Sequence, residues 1–167
     1  NYPRCRKFIS LVAFLVSSSA VCGAEITVSN KTQLATALTT VVAGDSIVWK
    51  NGTYDNLSSV TFEPVNAGTE ISPITLRAET PGGVVFRGNT QLLIGGQYLV
   101  VSGFRFDNSD FPFTGNSTAG SVIQSRANSA LARHAYNCRV TDCAIINYDN
   151  PAATSSSKWI QWYGATN

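Results

Sequence analysis

The chain has 167 residues, room for one domain with a sizeable core, and only 13% of them are Asp, Glu, Lys or Arg. Three of its twelve basic residues, Arg4, Arg6 and Lys7, crowd at the start, so the remainder carries nine basic against ten acidic residues and a net charge near −1. No basic stripe and no aromatic–basic interleaving runs through that remainder, which excludes nucleic acid as an obvious partner; a polyanion would have to be gripped by a local basic cleft. Abundant Gly, Ser, Thr and Asn among β-branched residues favours an all-β fold with many turns.

Residues 1–24 have the form of a secretory signal. A basic start is followed by an apolar run from Phe8 to Val16, broken only by Ser10, then Ser17-Ser18-Ser19-Ala20, with Cys22 and Ala24 as the small residues before a cleavage point at Glu25. The apolar run is too short for a comfortable membrane span. Acylation of Cys22 is the competing reading, but Ser19 occupies the place where a lipoprotein signal has Leu. The expected product, residues 25–167, is secreted or periplasmic and free of the membrane. The sequence contains no Met and stops at Trp162-Tyr163-Gly164-Ala165-Thr166-Asn167, so it reads as the N-terminal fragment of something longer.

In chain order, Glu25-Ile26-Thr27-Val28 is a short β-prone run. Ser29 or Asn30 then caps a helix with an apolar stripe at Leu34, Ala35, Ala37, Leu38 and Val41 or Val42, stopped by Gly44. Ser46 to Lys50 follows as a strand, and Asn51-Gly52 turns into the next. A lone helix opening an all-β chain fits a cover over the apolar end of a stacked structure. Further strands are expected at 74–78, 84–88, 91–95, 98–106, 121–126, 138–146 and 158–163, separated by Gly, Asn, Asp, Pro and Ser.

Two internal matches make these strands a solenoid. Leu99 to Asn108 aligns with Arg139 to Tyr148 at an offset of 40, and Val122 to Ser125 aligns with Trp159 to Trp162 at an offset of 37. Each coil then holds both strand types. Ile123 is expected over Ile160 inside, and Gln124 over Gln161 outside with the two amides sharing hydrogen bonds. Insertions at 107–120 and 149–157 would gather on one side and wall a groove. A β-sandwich is the alternative, but Asn51-Gly52 is the one good two-residue hairpin candidate.

Several stretches carry a family resemblance. The unit from Ile26 through Leu34 and Leu38 to Gly44-Asp45-Ser46-Ile47-Val48 and Asn51-Gly52-Thr53-Tyr54 resembles the capping segment of secreted β-helix carbohydrate enzymes. Ser72 to Val84, Tyr98 to Phe106, Asn137 to Cys143 and Trp159 to Asn167 are similar to segments of polysaccharide lyase family 6, the alginate lyase and chondroitinase B family. The resemblance spans residues 25–167. It implies a right-handed, single-stranded parallel β-helix with an N-terminal capping helix, and a lyase that cleaves a uronic-acid polymer, alginate before chondroitin or dermatan sulfate, by β-elimination. It also implies a Lys base, an Arg partner and a Ca²⁺ ion held by acidic and amide side chains. None of those motifs maps onto a position here; they are expected beyond residue 167, leaving this segment inactive alone.

For this chain's own residues, Arg126 at the end of the 121–126 strand suits a sugar carboxylate. Trp159 shares the outward parity of Gln161, so it is a stacking platform for a sugar ring with Gln161 beside it, while Trp162 falls on the core side. Lys158 reads as an edge lysine and His134 as an exposed turn residue. Cys138 and Cys143 are too close in an extended run for an easy disulfide, so a buried thiol is favoured. Asp142 with Asp149, or Asp107 with Asp110, is the carboxylate pair that a glycoside hydrolase would need; turn acids bonding local amides are the plainer reading. An adhesin-like or carbohydrate-binding β-helix without catalysis is the remaining alternative.

Overall fold

In the computed structural model the described residues are 23–108, 121–127, 134–148 and 158–163. The proposed signal segment lies almost wholly outside them, as do most of both proposed insertions.

Strand β1 (Glu25–Val28) leads to helix α1 (Lys31–Leu38). Four coils follow. The first is β2 (Ser46–Trp49), β3 (Gly52–Asp55) and β4 (Ser59–Phe62); the second is β5 (Ile74–Ala78), β6 (Val84–Arg87) and β7 (Gln91–Ile94), with a short β8 (Gly96–Gln97). The third is β9 (Leu99–Ser102), β10 (Phe104–Asp107), β11 (Ser121–Gln124) and a short β12 (Ala135–Tyr136); the fourth is β13 (Arg139–Thr141), β14 (Ala144–Ile146) and β15 (Lys158–Gln161). The sheets run across coils, in the orders β1-β2-β5-β9-β13, β3-β6-β10-β14 and β4-β7-β11-β15, and every pairing between these strands is parallel. This is a parallel β-helix. The sandwich alternative fails on that point, and Asn51-Gly52 turns a corner between two sheets instead of closing a hairpin.

The register explains the core. Side chains alternate in and out along each strand, so inward residues at one level pile into columns. Ile26, Ile47, Leu76, Val101 and Val140 form one column, and Val60, Leu92, Ile123 and Ile160 another. The second sheet supplies Tyr54, Phe86, Phe106 and Ile145. Phe86 lies 5.3 Å edge-on to Trp49 and 5.4 Å from Phe104 in a near-parallel stack. Such offset and edge contacts add to the area burial that drives the stack.

Helix α1 closes one end. Leu34, Ala37 and Leu38 are buried, and Val41 continues that face. Asn30 is the cap: its side chain accepts from the Gln33 amide at 2.9 Å, and Gln33 Oε1 accepts from the Ser29 amide at 2.7 Å. The helix is shorter and its stripe narrower than the pattern suggested. Ala35 and Val42 face solvent, and the chain leaves the helix at Thr39, well before Gly44.

One expected register is corrected. The offset-37 match holds, with Ile123 on Ile160 and Gln124 on Gln161. The offset of 40 is instead 39: Val100 pairs with Arg139 and Arg105 with Ala144. Because a one-residue slip reverses every side chain, residue similarity along the strands was the wrong guide. The corner decides it. Gly103 turns with φ 81 and Asp142 with φ 53, so these two left-handed residues must superpose. Ile145 then sits inside on Phe106, and the expected runs 98–106 and 138–146 each break in two at this corner.

Cys138 and Cys143 are free thiols packed against the core, not a disulfide. Burial pushes both thiols above their usual range. The sign follows: the unfolded chain ionises first, so stability is intact below the ordinary thiol range and falls as pH rises through and past it. We expect peptide-resolved alkylation at pH 8 to be slow at both positions in the native chain and fast in urea. Rapid native labelling at either would contradict this burial.

Candidate functional site

The third sheet and the corner that follows it carry the three sequence-predicted residues. Leu93, Gln124 and Gln161 stand in one column on the side away from Ile123, where Gln124 is only 5% exposed. Two residues back along β15 is Trp159, 53% exposed, and two residues beyond the column on adjacent coils are Arg126 and Tyr163. The Arg126 guanidinium carbon lies 3.6 Å from the centroid of the Tyr163 ring, a cation–π stack that fixes an otherwise mobile side chain.

Backbone bonds hold this corner. Arg126 and His134 form an antiparallel bridge, and the Ala135 amide donates to Ser125 O at 2.9 Å. His134 O accepts from the Gly96 amide at 3.2 Å, tying this bridge to the coil before. From the coil after, the Ser125 amide donates to Gln161 O at 3.0 Å, and Ser125 Oγ accepts from the Tyr163 amide at 2.6 Å.

Three expectations change here. His134 is not an exposed turn residue: it is 5% exposed, and its ring lies 6.0 Å from that of Tyr163. Sequence shows only its polar neighbours at Tyr136 and Asn137; what draws it inward is its bridge to Arg126 and its contacts with Gly96 and Tyr163 on neighbouring coils. Gln124 and Gln161 stack but do not share their amides. Gln124 Oε1 accepts from Ser121 Oγ at 3.3 Å and its Nε2 donates to Arg126 O at 3.3 Å, while Gln161 Oε1 is buried with no partner among the described residues. Trp162, expected in the core, is 55% exposed on the outermost described coil. Lys158 is exposed at the start of β15, as an edge lysine should be.

Ion pairs form on the outer faces of the other two sheets. Arg77 meets Glu25 on the first sheet, and Arg87 meets Asp55 at 2.7 Å and Arg105 meets Asp107 at 2.6 Å on the second. The Arg87 guanidinium, bonded to Asp55, holds that carboxyl below its usual range. Arg126 enters no ion pair among the described residues; its partner is the Tyr163 ring. The acids suggested for hydrolysis are engaged: Asp107 with Arg105 and Asn147, Asp142 with the hydroxyls of Ser102 and Thr141. Asp110 and Asp149 lie outside the described residues. No three His, Cys, Asp or Glu side chains gather to hold a metal among the described residues.

Sequence reading missed a second feature. At the edge of the first sheet a cleft of about 450 Å³ is lined by Thr69, Glu70, Tyr98, Val100, Asn137 and Arg139. Tyr98 and Asn137 both adopt φ 52 at equivalent corners. An Asn there is unremarkable, but a left-handed Tyr had no sequence signal.

The family profile described as Chondroitinase B matches residues 28–167. Among solved structures, the chain is 32% identical to the PL6 family alginate lyase AlyGC, over 84% of this chain and 18% of that one, with a TM-score of 0.69. It is 26% identical to a mannuronic acid specific polysaccharide family 6 lyase from human gut microbiota, over 82% of this chain and 30% of that one, TM-score 0.64. It is 27% identical to the PL6 family polysaccharide lyase Pedsa3628 from Pseudopedobacter saltans, over 81% and 28% respectively, TM-score 0.60. No curated protein matches. The chain thus spans less than a third of each of these structures. A profile match over most of the sequence, joined to the same coil-on-coil fold at this level of identity, places the chain in the chondroitinase B family, polysaccharide lyase family 6.

Proposed function

We propose that this chain is part of an exported polysaccharide lyase acting on a uronic-acid polymer, with alginate as substrate ahead of chondroitin or dermatan sulfate. The observation that carries the reading is 32% identity to an alginate lyase over 84% of the chain. In β-elimination a base takes the C5 proton of the uronate, the C4–O4 bond breaks, a C4=C5 double bond forms, and the departing sugar oxygen takes up a proton. The Lys base, its Arg partner and the Ca²⁺ ligands are the family's and are expected beyond residue 167. The residues here bind: Arg126 takes a carboxylate, Trp159 stacks on a ring, and Gln161 addresses a hydroxyl. Export rests on the basic–apolar–small order of residues 1–24.

A non-catalytic glycan-binding β-helix is the second reading, favoured by the exposed Trp159 on the third sheet and by Arg126, which has no ion pair among the described residues. The full-length protein, incubated with alginate, polymannuronate, polyguluronate and dermatan sulfate, distinguishes the two. We expect the ultraviolet band of the new conjugated alkene to grow on alginate. Binding without that band on any polyuronate would establish the non-catalytic reading.

A further inference from the structure

We propose that Arg126, Tyr163 and His134 form a subsite for the carboxylate of one uronate unit, with the guanidinium as anchor and the other two as positioning residues. This rests on the lyase reading for its substrate class but concerns binding alone.

The guanidinium is presented in a way a surface arginine seldom is. Tyr163 supports one face at 3.6 Å, and Arg126 Nε is buried without a hydrogen-bond partner among the described residues. A free arginine would turn that N–H to solvent. Here the stack fixes the plane, and a fixed fork loses less entropy when a carboxylate takes two of its terminal N–H groups. His134 supplies the backing. Its bridge to Arg126 places both side chains on one side of the ladder, where its imidazole borders the Tyr163 ring. Both imidazole nitrogens are buried without partners among the described residues. Leaving such groups unsatisfied costs stability and marks a place held for something other than folding.

The chemistry narrows the ligand. An unpaired, stacked guanidinium wants a planar anion; on the same face, Gln161 and Trp159 suit a hydroxyl and a ring. A uronate offers all three groups, whereas a neutral hexose lacks the first. Outward residues on one strand repeat about every 7 Å and coils about every 5 Å, a spacing commensurate with successive sugar units.

The test uses the full-length protein and two probes, a trimannuronate and its carboxyl-reduced, neutral counterpart, with affinity read by calorimetry. The acid should bind at least about tenfold more tightly than the neutral probe, the difference a charge-assisted pair makes. Arg126→Gln should cut that preference by about tenfold, the share of one charge-assisted pair, while changing affinity for the neutral probe little. Tyr163→Phe should keep the preference; Tyr163→Ala should reduce it with the melting temperature monitored alongside. Equal affinity of the unaltered protein for the two probes, or a preference undiminished by Arg126→Gln, overturns the proposal. Both results are independent of turnover: an alkene band without the preference removes the subsite and keeps the lyase, and the reverse outcome removes the lyase and keeps the subsite.

Discussion

Phe86→Ala should destabilise the chain by about 3–5 kcal/mol, a large share of the roughly 5–15 kcal/mol that holds a domain of ordinary stability. Phe86 is fully buried and touches aromatic rings from three directions: Trp49 at 5.3 Å, Phe104 at 5.4 Å and Phe106 at 5.5 Å. Its removal leaves a void bounded by parts of three successive coils, and the strands cannot close on it without breaking register. The loss should appear as insoluble expression or a large fall in the urea midpoint. Phe86→Leu fills most of the volume and should cost clearly less. Equal losses for the two would mean that the ring contacts and cavity are not what holds these coils together.

Gly68→Ala should be nearly as damaging although it adds one methyl. A Cβ at Gly68 would lie 2.3 Å from the Tyr98 carbonyl oxygen and 2.8 Å from the Ile74 amide nitrogen. Those two groups are bonded to each other at 3.1 Å, and the Gly68 amide itself donates to Gln97 O. The added carbon therefore wedges into the joint between the second and third coils, where backbone cannot step aside. We expect a loss of about 1–3 kcal/mol or more, the range of core overpacking, and a change in the neighbouring Tyr98 cleft. Gly82→Ala is the control. It meets nothing within 4 Å and incurs only the cost of its φ of 76, about 1 kcal/mol. If thermal melting shows Gly68→Ala no worse than Gly82→Ala, steric exclusion at the joint is wrong.

The coil architecture was legible because Ile123 and Ile160 sit in matching contexts, Val-Ile-Gln and Trp-Ile-Gln, and a solenoid repeats its environment. The capping helix was legible from Leu34, Ala37 and Leu38. Strand β4 was missed: Val60 and Phe62 are its two inward residues, and Ser59 and Thr61 between them resemble a loop. The register at Gly103 and Asp142 went astray because nothing in the letters says that an Asp occupies a left-handed corner. For the candidate site, parity alone put Trp159 and Gln161 outward and Arg126 near them. His134 and Tyr163 became neighbours through pairing across coils, between residues 29 positions apart in sequence, and no local pattern encodes that.

The coils differ greatly in length while the sheets do not drift. Val84 pairs with Phe104, twenty residues on, yet Arg105 in the same strand pairs with Ala144, thirty-nine on. In sequence the surplus falls between the strands, outside the ladder. Evolution can therefore lengthen, trim or exchange a corner segment without renegotiating a single column of the interior. A scaffold of this kind makes two separate demands on sequence: the columns dictate what may stand inside, and the stretches between strands answer to no column at all.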